Sequence, residues 1–144
     1  MAPMSPQPSR QLAIVTCMDC RIDLAAALGL KLGEAHVIRN AGGAVTDDVI
    51  RSLAISQRKL GTREVFLIHH TKCGMQTITE DGFRAELHDD TGMSPPWAVE
   101  SFEDADEDVR QSIRRVQSSP FLPHRDAVRG FVYDVDTAEL REVQ

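Results

Sequence analysis

The chain has 144 residues, enough for one domain with a buried core, and its 42% hydrophobic share is that of an ordinary globular protein. A formal net charge of −6 argues against nucleic acid as the main partner, and no apolar run approaches membrane-spanning length. The N-terminus lacks the apolar centre of a signal peptide, so the expected location is the cytoplasm, where three cysteines point to metal or catalytic roles more than to disulfides.

Residues 1–10 carry three prolines and few apolar side chains, which predicts a flexible arm or tail outside the domain formed by residues 11–144. Residues 11–16 hold the apolar run Leu12-Ala13-Ile14-Val15 and read as a buried parallel strand. Ile22 to Leu30 reads as a short helix with Leu24, Ala25 and Leu28 on one face and Gly29 near its end. Ala35 to Arg39 is a second strand, and it runs into Asn40-Ala41-Gly42-Gly43, where paired glycines permit positive φ and a close backbone approach. Thr46 to Leu60 is the clearest helix. Thr46 can cap it, Asp47 and Asp48 sit in its first turn, Arg58 and Lys59 in its last, and Gly61 ends it. Val65 to Ile68 is the third strand.

Met75 to Leu87 holds one or two short helices, and Asp89 to Pro96 is a polar surface excursion. A long helix starts at Ser101 or a neighbour and runs to about Ser118. Its acidic first turns followed by Arg110, Arg114 and Arg115 suit the helix dipole, so the acidic run reads as a solvated helix start and not a metal site. Gly130 to Val135 is strand four, and Glu139 to Val143 forms a last strand at the sheet edge. Alternating strands and helices predict a single-domain α/β fold, a central mostly parallel sheet flanked by helices.

Two of the apolar strands end in metal-type ligands, at the strand ends where open α/β sheets build their sites. The first is followed by Cys17-Met18-Asp19-Cys20-Arg21 and the third by His69-His70-Thr71-Lys72-Cys73-Gly74. Zinc favours tetrahedral sites of Cys thiolate and His imidazole, and a catalytic site keeps its fourth position open. Cys17, His70 and Cys73 supply three ligands for one zinc. Asp19 is a candidate fourth ligand, and Arg21 offers it a competing bidentate ion pair that leaves the fourth position to water. Zinc lowers the pKa of such a water and makes hydroxide available near neutral pH for attack on a small electrophile. Cys20 reads as a packed small side chain and His69 as structural, facing opposite to His70; His88 and His124 carry no signal.

Cys-x-Asp-x-Arg after one strand and His-x-x-Cys-Gly after a later one, with Gly33 to Gly42 between them and Gly-Phe-Val-Tyr-Asp-Val near the end, resemble the β-class carbonic anhydrases, most closely the small bacterial branch. The resemblance runs from about residue 11 to 143. It implies zinc on Cys17, His70 and Cys73, an Asp19–Arg21 dyad, reversible hydration of carbon dioxide to bicarbonate, and a homodimer or homotetramer with sites at the subunit interface. It also implies that the Gly74 N–H holds a substrate oxygen and that His36 and Ala41 line the substrate pocket. Plant-type members carry an aromatic residue in place of His36 and a valine in place of Ala41. Lys72 stands where close relatives often have Asp. The same scaffold hosts carbonyl sulfide and carbon disulfide hydrolases, which are the alternative activity, and a catalytically weak zinc-bound regulatory protein is the non-enzymatic alternative.

Overall fold

The computed structural model describes residues 4–144; the first three residues of the expected arm lie outside them. The order is β1 (Leu12–Cys17), α1 (Leu24–Leu28), β2 (Ala35–Asn40), α2 (Asp47–Leu60), β3 (Glu64–His70), α3 (Glu80–Thr91), α4 (Ala105–Ser118), β4 (Val128–Tyr133) and β5 (Leu140–Val143). The five strands form one sheet in the order β2-β1-β3-β4-β5. The first four are parallel, and β5 pairs antiparallel at the edge.

Local chemistry sets the element ends. The Asp23 carboxylate caps α1 through the Ala26 N–H, and Gly29 closes it at φ +64°, so the helix is shorter than apolar spacing alone predicts. Thr46 Oγ1 accepts from the Val49 N–H at the start of α2, and Gly61 ends it at φ +79°. The helix expected within 75–87 is α3, which begins after its Thr79 cap and continues to Thr91, so part of the expected excursion is helical. The last helix starts at Ala105 and not near Ser101, because Asp104 accepts from the Asp106 and Glu107 N–H groups and fixes the first turn there.

Strand alternation divides the core. Ala13, Val15, Val65 and Leu67 point to one face, where they pack with Val49 and Leu53 of α2 and Val116 of α4. Burying each of these valine and leucine side chains contributes roughly 1.5–3 kcal/mol. A Cβ on Gly130 would meet Val109 Cγ1 at 2.2 Å, so the missing side chain is what lets α4 lie this close on β4. Leu12, Ile14, Ile68, Phe131 and Tyr133 point to the other face with Leu24 of α1. Residues 4–10 form no helix or strand, yet the Ser9 and Arg10 N–H groups donate to Gly33 and Glu34 carbonyls, so this stretch lies along the entry to β2. Among the described residues no helix is long and apolar enough to cross a membrane.

The strand order places the site. From β1 the chain moves outward to β2, and from β3 it moves the other way to β4. The C-terminal ends of the adjacent strands β1 and β3 therefore flank the point where the winding reverses, where such sheets leave a crevice.

Candidate metal centre

Cys17 ends β1 and His70 ends β3, while Cys73 follows one tight turn later. One Cys17 sulfur, one His70 ring nitrogen and one Cys73 sulfur lie within 4.8 Å of one another, and all three residues are buried. The His70 Nδ1 stands 2.8 Å from the Thr71 carbonyl. A carbonyl only accepts, so Nδ1 carries the proton and the Nε2 lone pair is free. That buried Nε2 has no hydrogen-bond partner among the described residues. An orphaned buried nitrogen ordinarily costs about 1–3 kcal/mol; beside two sulfurs it completes a donor set that zinc prefers. The residues fit the ion.

The sulfurs are prepared electrostatically. The neighbouring Cys73 thiol is the largest influence holding Cys17 below the ordinary thiol range. Burial opposes this, while His70 and the main chain of Asp19 and Gly42 assist it. The Cys17 sulfur beside it, and then burial, push the Cys73 thiol up. Burial pushes His70 down, but the Cys17 sulfur, the Thr71 carbonyl and the Asp19 carboxylate outweigh it and leave His70 raised.

The paired glycines make the close approach that their position after β2 suggests. Gly42 and Gly43 have φ of +83° and +63°. A Cβ on Gly43 would stand 3.0 Å from the Thr16 carbonyl carbon and 3.1 Å from the Cys17 nitrogen. This contact brings the Gly42 N–H to 3.3 Å from Cys17 Sγ.

Asp19 stands beside the triad but outside its three-atom cluster. Its Oδ2 is 3.7 Å from His70 Nε2. The carboxylate is taken by Arg21: Oδ1 accepts from the Arg21 main-chain N–H at 2.8 Å and from Nε at 2.9 Å, and Oδ2 from Nη2 at 2.6 Å. That guanidinium holds the Asp19 carboxyl well below the usual carboxylate range. Arg21 Nη2 also donates to the Lys72 carbonyl at 2.9 Å, which ties the two ligand loops together.

A recess of about 170 Å³ opens beside the sulfurs, lined by Cys17, Met18, Asp19, Ala41, Gly42, Cys73, Gly74 and Met75. Ala41 and Gly74 are therefore in place to meet a small ligand. His36 is not. Its Nδ1 stands 2.7 Å from Ser56 Oγ and its Nε2 2.9 Å from the Pro6 carbonyl, so the ring is occupied between α2 and the N-terminal arm, away from the recess. His69 alternates to the opposite face from His70, where Nε2 meets Asp108 Oδ2 at 2.6 Å and the ring lies against Phe102. Cys20 is exposed and not packed inside, and Lys72 points outward to Asp136. Sequence reasoning missed Met18 and Met75 as walls of the recess. Their positions directly after Cys17 and Gly74 were the available signal.

Comparisons with known proteins find relatives over nearly the whole chain. The family model described as carbonic anhydrase matches residues 12–117. Over 141 residues the chain is 59% identical to "Beta-carbonic anhydrase 1" of Mycobacterium tuberculosis, covering 98% of this chain and 86% of the relative. It is 32% identical to a carbon disulfide hydrolase of Acidithiobacillus thiooxidans, covering 92% of this chain and 77% of that protein. The solved carbonic anhydrase of Streptococcus mutans superposes with a TM-score of 0.93 at 47% identity, covering 100% of this chain and 87% of the other.

Proposed function

This chain belongs to the β-carbonic anhydrase family, and we propose that Cys17, His70 and Cys73 hold its zinc while Asp19 and Arg21 work beside the ion. The chain is a zinc enzyme that hydrates carbon dioxide reversibly to bicarbonate. The observation that carries the assignment of residues is the convergence of two buried thiols and a buried imidazole at the β1/β3 crevice with an ion-paired carboxylate 3.7 Å from the free imidazole nitrogen.

Bound there, zinc supplies a Lewis acid that makes water nucleophilic near neutral pH. The chain's own groups do the rest. Asp19, kept ionised by Arg21, accepts the O–H of the attacking water and aims its lone pair into the recess. Carbon dioxide is linear, small and nonpolar. It suits the apolar side chains of Met18, Ala41 and Met75, and the Gly74 N–H offers a donor to the oxygen on which charge develops. Stopped-flow measurement is expected to show carbon dioxide hydration that vanishes on zinc removal and returns with it. Turnover of carbon disulfide with none of carbon dioxide would overturn the substrate assignment.

The working form is a homodimer or homotetramer. A groove of about 1000 Å³ shares Ala41 and Met75 with the recess and is walled in part by Ile50, Phe83, Trp97 and Val99. Trp97 is 54% exposed there, a large apolar surface for a lone chain. Light scattering is expected to give a dimer or larger at micromolar concentration; an active monomer would contradict this. Three free cysteines suit the reducing cytoplasm.

A further inference from the structure

We infer that Arg39 is a positioning residue for this reaction, acting through Asp19, which it fixes relative to the Cys17 main chain; the inference rests on the catalytic reading of Asp19 given above. Arg39 lies near the end of β2, opposite Thr16 in the parallel register with β1. Its Nε donates to the Cys17 carbonyl at 2.8 Å and its Nη2 to the Asp19 carbonyl at 2.6 Å. These bonds fall where the chain leaves the sheet. Cys17 is the last residue of β1, and Met18 to Asp23 form neither helix nor strand. Only one ladder-like bond continues, from the Met18 N–H to the Asn40 carbonyl at 2.7 Å.

The Cys17–Met18 peptide follows a zinc ligand and the Asp19–Cys20 peptide follows the carboxylate; their other main-chain bonds are Met18 N–H to Asn40 and Ile22 N–H to the Asp19 carbonyl at 3.3 Å. A planar guanidinium spanning the Cys17 and Asp19 carbonyls ties these two peptides to each other across the Met18–Asp19 peptide between them, which a lysine ammonium cannot do. Asp19 is thus held twice, its carbonyl by Arg39 and its carboxylate by Arg21. Arg21 sets which way the carboxylate points, and Arg39 sets where the residue stands relative to the Cys17 sulfur. Arg39 touches neither the ligand atoms nor the recess.

The test is a double-mutant cycle on the zinc enzyme with Arg39→Met, Arg39→Lys and Asp19→Ala. Zinc content, thermal midpoint, kcat and KM are read for each variant. Partners that orient a metal-site group ordinarily change activity by about 10–100-fold. Arg39→Met is expected to keep zinc near one per chain and to lose kcat by about that factor, with KM moved by less than about threefold. Arg39→Lys, which keeps the stem and charge but cannot span both carbonyls, is expected to lose less. In the Asp19→Ala background the Arg39→Met loss is expected to shrink to within about twofold, since the group it positions is gone. A general destabilising role would instead multiply the two losses, and that result overturns the inference. So does wild-type kcat in Arg39→Met. If Arg39→Met fails to fold, the same cycle with Arg39→Lys decides, and additive losses there overturn the inference equally. Full activity of Asp19→Ala alone overturns the reading of Asp19 and, with it, the role given to Arg39.

Discussion

Cys73→Ser is expected to yield a folded chain that has lost its zinc and, on the order of a thousandfold or more, its carbon dioxide hydration, because the rate enhancement depends on the ion. Serine is nearly the same size as cysteine, so packing around this buried position changes little. What changes is the donor. A serine hydroxyl does not ionise near neutral pH and is a harder, weaker ligand for zinc than a thiolate. The remaining Cys17 and His70 give a two-ligand site, too few for tight retention. Loss of Cys73 also removes the neighbouring thiol that holds Cys17 low, so the surviving ligand becomes harder to ionise as well. The measurements are metal content per chain, circular dichroism to confirm folding, and stopped-flow hydration. A folded Cys73→Ser protein that purifies with one zinc per chain and near-normal turnover would remove Cys73 from the ligand set.

Most of this candidate site is legible in the sequence. Cys17 and His70 could be placed because apolar runs of strand length end on them, and parallel strands of one sheet finish on the same side. The alternation that turns His69 toward Asp108 and His70 toward the sulfurs follows from the two-residue period of a strand. The Asp19–Arg21 pair was legible because two charges two residues apart on a turn can meet. What is not legible is tertiary. The resemblance alone places His36 at the pocket wall, and nothing local reveals that Ser56 of α2 and the Pro6 carbonyl stand at both ring nitrogens within the chain. The start of α4 was placed too early because Ser101 and Asp104 are both good caps, and only the main-chain geometry shows that Asp104 caps the helix. Arg39 looked like the polar end of a strand. Its role depends on the backbone path of the neighbouring strand, which no spacing rule encodes.

Asp19→Ala is expected to keep zinc near one per chain and to lose turnover by about 10²–10⁴-fold, the range for removing a positioned proton acceptor. The pH dependence separates the possible roles of the carboxylate. Free aspartate titrates near about 3.9, and Arg21 holds the folded Asp19 carboxyl below that. A carboxyl depressed on folding binds fewer protons in the native state than in the unfolded one. It therefore adds stability at pH above the unfolded value, and that stability is lost as pH falls through the lower folded value. Through the whole range from about pH 5 upward Asp19 is ionised in the native protein and in the unfolded chain alike. Hydration is nonetheless expected to rise with pH through the neutral to mildly alkaline range, because the attacking water must shed a proton. That rise belongs to the water and not to Asp19. Asp19→Asn, which keeps the shape and removes the charge, should accordingly show a much lower plateau with its midpoint within about one unit of the wild type. Zinc content is read at both ends of the range, so that acid release of the metal is not mistaken for titration. If zinc stays bound and the midpoint moves by two units or more, Asp19 is itself the titrating or metal-closing group, and its ion pair with Arg21 yields as the pH falls; a flat wild-type profile would argue against both the water ionisation and that switch.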